Sequence, residues 1–142
     1  MKLLSDATPA VDRNGLEVLD RDECLRLLAG ARLGRVGITS GALPVILPVN
    51  FRVVGNEILF RTAHGTKLEA ATRGAVVAFE ADAMDPIDHT GWSVMVTGVA
   101  RQVTDPDELV ALQADRVARW APRGDACVVA VSTELVSGRR IS

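Results

Sequence analysis

The chain of 142 residues is poor in aromatic side chains and has no excess of positive charge. It contains no tyrosine, three phenylalanines and two tryptophans, so a platform for stacking nucleic-acid bases is not expected. Its formal net charge of −2 argues against the concentrated basic surface that nucleic acids and anionic membranes favour. No apolar run approaches the roughly 20 residues of a membrane span, and the N-terminus has no apolar core of signal-peptide length. The sequence therefore predicts a cytoplasmic protein that binds neither nucleic acid nor membrane.

Cysteine and histidine are also scarce, at two residues each. Cys24 falls in a helical pattern and Cys127 in an apolar strand, far apart and without metal-site spacing, so both are expected to be buried thiols. The acidic run from Glu80 to His89 lacks the spacing of a ligand loop and is expected to be solvated, with no metal. Without a positioned nucleophile, the chain itself offers little covalent or acid–base chemistry, which suits a protein that relies on a cofactor.

What the chain does have is the composition of one globular domain, with 48% hydrophobic and 24% charged residues. We expect a loose leader over residues 1–15 and a single domain over residues 16–142. Apolar runs separated by glycine and proline turns predict six or seven antiparallel strands in this domain. The predicted strands are Gly34–Thr39, Leu43–Phe51, Glu57–Thr62, Ala75–Ala81, Gly91–Val103, Ala126–Ser132 and a short one at Leu135–Ile141.

Short helices are predicted between these strands. They begin at the capping residues Asp20, Thr66 and Asp105 and end near Gly30, Arg73 and Ala118. Trp120 follows the third helix and either packs it on the sheet or contacts a cofactor. A loop is predicted over Asp82–Thr90, where aspartates cluster around a proline. An antiparallel sheet with such insertions avoids open edges most easily by closing into a barrel.

Two features of the strands predict contacts outside the barrel. Pro44–Val49, Ala75–Phe79 and Val128–Val131 are apolar at consecutive positions, which indicates cover on both faces, as when a second subunit packs on the outside. Pro44 and Pro48 cannot donate to a strand ladder, so the second strand is expected to run at an edge or to split away there. Such a split leaves backbone groups available to a ligand.

The stretch Arg61–Lys67 joins the end of a strand to the start of a helix and is the strongest local signal for a ligand. It places a cation at either end and the hydroxyls of Thr62 and Thr66 between them, beside the unpaired N–H groups of a helix start. The combination predicts an anion site, phosphate above all. The alternative is that both cations are solvated surface charges. His64 either donates to the same anion or is a solvated loop residue.

Four segments, in this order and spacing, resemble the pyridoxamine 5′-phosphate oxidase-like flavin-binding split barrels over nearly the whole chain. The segments are Leu33–Gly37, Leu47–Phe51, Leu59–Lys67 and Gly91–Ala100. The likeness is closest to the short actinobacterial-type members of unassigned activity. It implies a mainly β fold, a six- to seven-stranded antiparallel split barrel of Greek-key type, and a homodimer with two FMN sites at the subunit interface.

The resemblance also implies which residues hold the cofactor. The implied phosphate residues are Arg61, Thr62, Thr66 and Lys67 with Phe60 before them, the ring residues are Leu47, Pro48, Val49 and Asn50, and the partner subunit contributes Trp92, Ser93 and Arg139. The role of Arg140, beside Arg139, stays open. From the residues alone, Val45–Val49 supplies the apolar wall that a flat ring needs.

The C-terminal segment Val136–Ser142 departs from the true oxidases because it lacks the histidine and tryptophan with which they grip their substrate. Oxidation of vitamin B6 is therefore not expected. Unusual side chains at Pro48 and Thr66 leave a deazaflavin coenzyme open as an alternative to FMN. Two functions follow: an FMN-dependent oxidoreductase that passes electrons from a reduced nicotinamide to a small organic acceptor, or a non-catalytic carrier or sensor of a flavin or deazaflavin.

Overall fold

The computed structural model describes residues 10–119 and 126–142. In this part of the chain, eight strands alternate with three short α-helices and one 3-10 helix. The strands are β1 (Glu17–Leu19), β2 (Leu33–Ser40), β3 (Leu43–Val54), β4 (Glu57–Ala63), β5 (Val76–Asp85), β6 (Thr90–Val103), β7 (Ala126–Ser132) and β8 (Leu135–Ile141). The helices are α1 (Arg21–Ala29), α2 (Lys67–Ala71), α3 (Pro106–Ala111) and the 3-10 helix Ala114–Arg116.

Six of the strands close a barrel in the order β6-β5-β2-β3-β4-β7, and β7 pairs back to β6. The described pairings are antiparallel, and β8 and β1 extend the sheet beyond β6. The prediction of a mainly β, antiparallel split barrel with short inserted helices is confirmed. The extra strand is β1, which has only three residues and is too short to produce a recognisable period of two.

Alternate residues of each barrel strand fill the interior. Ile58 and Phe60 of β4 are fully buried there, and the rings of Phe51 and Phe79 meet edge to face with centroids 4.7 Å apart. Helix α1 packs against this core through Leu28. It begins as predicted, because the Asp20 carboxylate accepts a hydrogen bond from the Glu23 N–H. The barrel therefore has a core formed entirely by one chain.

Helix α2 is shorter than predicted and has five residues. The Thr72 hydroxyl donates to the Glu69 carbonyl at 3.0 Å, and Gly74 turns the chain with a φ of +73°. Side-chain bonding back to the preceding turn and a left-handed glycine both end a helix. The prediction of a helix to Arg73 was therefore wrong by two residues.

The third helix is also shorter, because α3 ends at Ala111 and not at Ala118. Gln113 adopts a left-handed conformation with a φ of +53°, which breaks the helix before the 3-10 turn. Glu108 does not complete a capping box; it binds the Arg101 guanidinium at 2.9 Å instead. Asp105 is the N-cap residue but makes no side-chain capping bond.

The loop predicted over Asp82–Thr90 is mostly strand. β5 continues to Asp85 and β6 begins at Thr90, so these strands pair along ten positions. The aspartates that suggested a loop are tolerated because they lie on exposed positions of the ladder. Only the turn remains, and the Asp85 carboxylate caps it by accepting the N–H groups of Ile87 and Asp88.

Part of the predicted leader contacts the barrel. Asp12 accepts the N–H groups of Asn14 and Leu16 and pairs with Arg139, whose Nε lies 3.0 Å away. Trp120, whose role the sequence left open, lies outside the described residues. No helix within residues 10–119 and 126–142 has the length and apolar character needed to cross a membrane.

The outside of the barrel has two unlike regions. We call the first the covered face: here α3 and the 3-10 helix lie over β4, β7 and the end of β6. Its buried residues are Leu59, Val103, Ala114, Val117, Val128 and Ala130. We call the second the bare face: it consists of outward side chains on β3, β2, β5, β6 and β8. Its exposed apolar residues include Ile46, Val76, Met95, Val99 and Leu135.

Candidate functional site

β3 and β4 diverge after a short ladder that ends at the pair Phe51 and Phe60. Beyond that pair, Leu43–Asn50 is paired with β2 on its other side, and Arg61–Ala63 is paired with β7. Among the described residues, neither segment has a ladder partner toward the other. The expected split of the second strand is confirmed, and it opens a cleft, here called the β3–β4 cleft, with an unpaired backbone edge on each wall.

The β3 wall carries the predicted ring residues, but their side chains point in two directions. Leu47 and Val49 face the barrel core, and Val49 is 2% exposed, so only their backbone can contact a ligand. Pro48 and Asn50 face outward. The Asn50 amide donates to the Arg119 carbonyl at 3.1 Å. The expectation of an apolar side-chain wall is thus corrected: the wall is a backbone edge flanked by a proline and an amide.

The β4 wall carries Arg61, whose guanidinium has one donor in use and one unused. Its Nη2 donates to the Ala114 carbonyl at 2.7 Å. Its Nε is buried and has no hydrogen-bond partner among residues 10–119 and 126–142. Leaving a buried donor unpaired costs about 1–3 kcal/mol, more for a charged group. Nη1 of Arg52, on the neighbouring strand, is in the same condition. An oxygen-bearing ligand in the cleft would satisfy such donors.

At the mouth of the cleft, the structure brings two hydroxyls together and places a cation next in the chain. Thr62 Oγ1 lies 3.1 Å from Thr66 Oγ1, and Thr66 also donates to the Ala63 carbonyl at 2.9 Å. The exposed Lys67 follows Thr66 directly. The predicted contribution of a helix start is corrected, because α2 has five residues and Thr66 already caps one of its N–H groups. Side chains, not a helix dipole, must attract an anion here.

The residues expected from a partner subunit form a second group. Trp92, Ser93 and Arg139 line one pocket of about 270 Å³ beside β8. Ser93 pairs directly with Arg139, whereas Arg61 is aligned through β7 with Val103. Ser93 and Val103 are ten residues apart on β6, which corresponds to about 33 Å of strand. The two groups therefore lie at opposite ends of β6 within one chain.

Three further side chains have clear positions. Phe60 is fully buried in the barrel core, so its side chain does not reach the cleft. Arg140 pairs with Glu17 and Glu23, which makes it a link between β8, β1 and α1. His64 does not lie against the Thr62 and Thr66 hydroxyls alone: both of its ring nitrogens contact the Cys127 sulfur. The sequence gave no signal for that contact, because the two residues are 63 positions apart and meet through the β4–β7 register.

A charged trio lies on the bare face, next to the pocket of the second group. Arg35 is 3.6 Å from both the Glu80 and the Asp82 carboxylates. Burial, and then the neighbouring Asp82 carboxylate, raises the pKa of Glu80 to about 7 despite the opposing charge of Arg35. Asp82 also lines the pocket that contains Trp92 and Arg139. The bare face therefore carries a carboxyl group that titrates near neutral pH.

Comparison with known proteins agrees with this geometry. The family model described as pyridoxamine 5′-phosphate oxidase matches residues 20–140. An uncharacterised protein of Mycobacterium tuberculosis, Rv0080, is 44% identical over 140 residues, which is 95% of this chain and 91% of that protein. Its name carries no information on activity.

Solved structures share the fold. The FAD-binding protein from Mycobacterium smegmatis is 39% identical, with 88% of this chain and 99% of that chain covered and a TM-score of 0.76. An FAD-binding protein from Mesorhizobium loti is 22% identical, with 89% and 99% covered and a TM-score of 0.74, and shows the fold alone. The family match over residues 20–140, the similarity to these proteins and the split between β3 and β4 lead to one conclusion. The chain belongs to the pyridoxamine 5′-phosphate oxidase-like family of split barrels.

Proposed function

We propose that this protein binds a flavin nucleotide in the β3–β4 cleft. The observation that carries the proposal is the cleft itself: two unpaired backbone edges and a buried, unused Arg61 donor lie beside a pair of threonine hydroxyls. A flavin has the matching chemistry, with a polar-rimmed ring and a phosphate. The relative that is 39% identical is an FAD-binding protein, which favours FAD; FMN, and a deazaflavin as its alternative, stay predictions from the sequence.

Each wall has a separate task in this proposal. The backbone edge of Leu47–Asn50 faces the polar rim of the ring, and Pro48 limits where the ring sits. Thr62, Thr66 and Lys67 hold the phosphate at the mouth, and Arg61 uses its buried Nε toward a ligand oxygen deeper in the cleft. The arrangement divides the ligand's negative charge between a buried and an exposed cation, which is a strong form of anion recognition.

The proposal includes a homodimer in which the second copy completes the site. Trp92, Ser93 and Arg139 lie about 33 Å of strand away from Arg61, too far to contact the same ring in one chain. A second copy packed on the bare face would bring its own Trp92 pocket to the first copy's cleft. The apolar residues of that face, from 41% to 73% exposed at Val99 and Ile46, support a partner there.

For activity, we infer an oxidoreductase that takes electrons from a reduced nicotinamide and passes them to a small organic acceptor. When bound, the flavin supplies the hydride and electron chemistry. The chain's own residues bind the cofactor, orient its ring by the β3 backbone edge and exclude water from the seam. Vitamin B6 oxidation is not part of the proposal, since the C-terminal strand lacks the residues of the true oxidases.

The test is cofactor uptake by the purified chain, followed by turnover. Titration with FAD, FMN and a deazaflavin, followed by ligand fluorescence, should show saturable binding of at least one of them, one per chain. Saturable binding of none would contradict the proposal. Steady oxidation of NADH or NADPH by the loaded protein with a quinone or nitro-aromatic acceptor supports the oxidoreductase. Binding without turnover for any acceptor supports the carrier or sensor instead.

A further inference from the structure

Three side chains that ligate metals meet beside the cleft, and each comes from a different element. His64 lies in the β4–α2 loop, Glu69 on α2 and Cys127 on β7. One ligand atom from each residue lies within 4.8 Å of the others. His64 Nδ1 is 2.8 Å from Cys127 Sγ and 3.7 Å from Glu69 Oε1. The flavin proposal uses none of the three.

The cluster is built into the fold on two sides and open on the third. Glu69 is 5% exposed and Cys127 is 7% exposed. The β4–β7 ladder fixes Cys127 opposite Thr62, and Gln102 donates to the Glu69 carbonyl at 3.1 Å. The His64 side chain is 60% exposed and sits on a loop, so it can move and leaves an entry path from solvent. Two fixed ligands and one mobile ligand are a workable arrangement for capturing an ion.

We propose that His64, Glu69 and Cys127 bind a thiophilic divalent cation of the zinc class. A thiolate, an imidazole nitrogen and a carboxylate oxygen are the three protein ligands that Zn²⁺ accepts while keeping a fourth position open. In a tetrahedral zinc site, sulfur and nitrogen ligand atoms lie about 3.5 Å apart and nitrogen and oxygen about 3.4 Å apart. The separations here are 2.8 Å and 3.7 Å, so a small shift of the His64 loop suffices.

The surrounding charges fit the binding of a cation. Arg73 binds the Glu69 carboxylate at 2.6 Å and, through that hydrogen bond, lowers the pKa of Glu69 and keeps it ionised. The Arg73 side chain is 63% exposed and is free to turn toward solvent when a metal takes its place. The Cys127 thiol proton leaves to solvent on binding, so metal affinity should rise with pH. The inference does not depend on the flavin.

The test is metal binding by the full chain. Titration with Co²⁺ should saturate at one ion per chain and give a thiolate-to-cobalt charge-transfer band with the intense visible bands of a tetrahedral site. Zn²⁺ should displace the cobalt, and competition with a coloured chelator gives its dissociation constant. H64Q and C127S should each weaken Zn²⁺ binding at least about a hundredfold. H64Q changes an exposed loop residue, so this variant keeps its fold even if C127S does not.

The chain supplies matched controls for both variants. Cys24 is the other buried thiol, and His89 is the other histidine. C24S and H89Q should leave the cobalt spectrum and the zinc affinity unchanged. The proposal is overturned if the wild type gives no charge-transfer band, if H64Q binds zinc as tightly as the wild type, or if H89Q removes the band. Thermal unfolding of each variant identifies any loss of binding that comes from a lost fold.

Discussion

The covered and bare faces differ most clearly along a single strand, because β6 runs through both. Its outward residues Met95 and Val99 are 51% and 41% exposed on the bare face, whereas Val103 at the end of the same strand is 4% exposed. The residues are equally apolar, and only the cover differs. α3 and the 3-10 helix cover Val103, and nothing in the described part of this chain covers Met95. One face is complete within the chain and the other is not.

The charged residues repeat this contrast. On the covered face, Arg101 makes hydrogen bonds of 2.9–3.0 Å to both Glu57 and Glu108. On the bare face, Arg35 stands 3.6 Å from each of its two acidic neighbours. Close, bidentate pairs show a surface whose charges are satisfied inside the chain. Looser groups beside exposed apolar residues show a surface prepared for a partner, and the proposed second copy would supply one.

The centre of the bare face is flat enough for such a partner. Ile46, Gly37, Ala78, Thr97 and Leu135 lie in one row across five strands. The small residues in the middle of the row allow close approach of another sheet. Since a two-fold dimer uses the same patch on both copies, each substitution on it acts twice.

The largest effect is expected from placing a charge on the bare face. I46E puts one carboxylate from each copy into the seam, at a cost of about 4 kcal/mol in total, which raises the dimer dissociation constant about a thousandfold. Flavin binding should be lost with the dimer. The measurement is sedimentation equilibrium over a range of concentrations. V110E is the control, because Val110 is 78% exposed on α3, away from the seam, and it should remain dimeric. Equal behaviour of both variants would refute the assignment of the two faces.

The covered face should respond in the opposite way. L59A removes a fully buried side chain under the 3-10 helix and should lower the free energy of unfolding by about 3 kcal/mol. The dimer constant of the protein that remains folded should not change. Urea unfolding and sedimentation measure the two quantities separately. A dimer weakened as strongly as in I46E would mean that the covered face also takes part in the interface.

The next effect concerns the cleft between the faces. R61M and K67M each remove one charged contact and should weaken flavin binding by about 2 kcal/mol, or about thirtyfold, with the dimer intact. The readout is the fluorescence titration described above. R116M, on the exposed 3-10 helix, provides a control for loss of one positive charge. Full affinity in both cleft variants would place the phosphate elsewhere.

The smallest effect is the pH dependence of the bare face. Glu80 has a pKa of about 7 in the folded chain and an ordinary value of 4.5, so the folded state holds this proton more tightly than the unfolded state does. Its contribution to stability is therefore present below pH 4.5 and is lost as the pH rises to about 7. Melting temperatures of the wild type should fall through this window relative to those of E80Q. Parallel curves for the two proteins would contradict the raised pKa.

The sequence predicted most of the fold because the local signals are strong. Asp20 and Glu23 mark the start of α1, and turns at Gly41 and Gly55, both with positive φ, separate the strands where predicted. The prolines of β3 correctly predicted its split from β4. The errors lie where tertiary contacts decide. Pairing with β6 extends β5 through a run of aspartates, and Arg101 draws Glu108 away from a capping role.

The site was only partly predictable for the same reason. The stretch Arg61–Lys67 was identified from its own residues, since a strand end with cations and hydroxyls is a local pattern. Which way Leu47 and Val49 point depends on the register of β3 in the closed barrel, which local sequence does not encode. The contact of His64 with Cys127 needs the β4–β7 ladder, a pairing between distant segments. Contacts of that kind become visible only once the barrel is closed.

The central claim is that the bare face joins two copies and that the flavin lies where they meet. Sedimentation velocity of the flavin-loaded chain, recorded at both a flavin and a protein wavelength, tests it directly. The account predicts one boundary at twice the mass of the chain, carrying all the bound flavin. A flavin-carrying boundary at the mass of a single chain would contradict it.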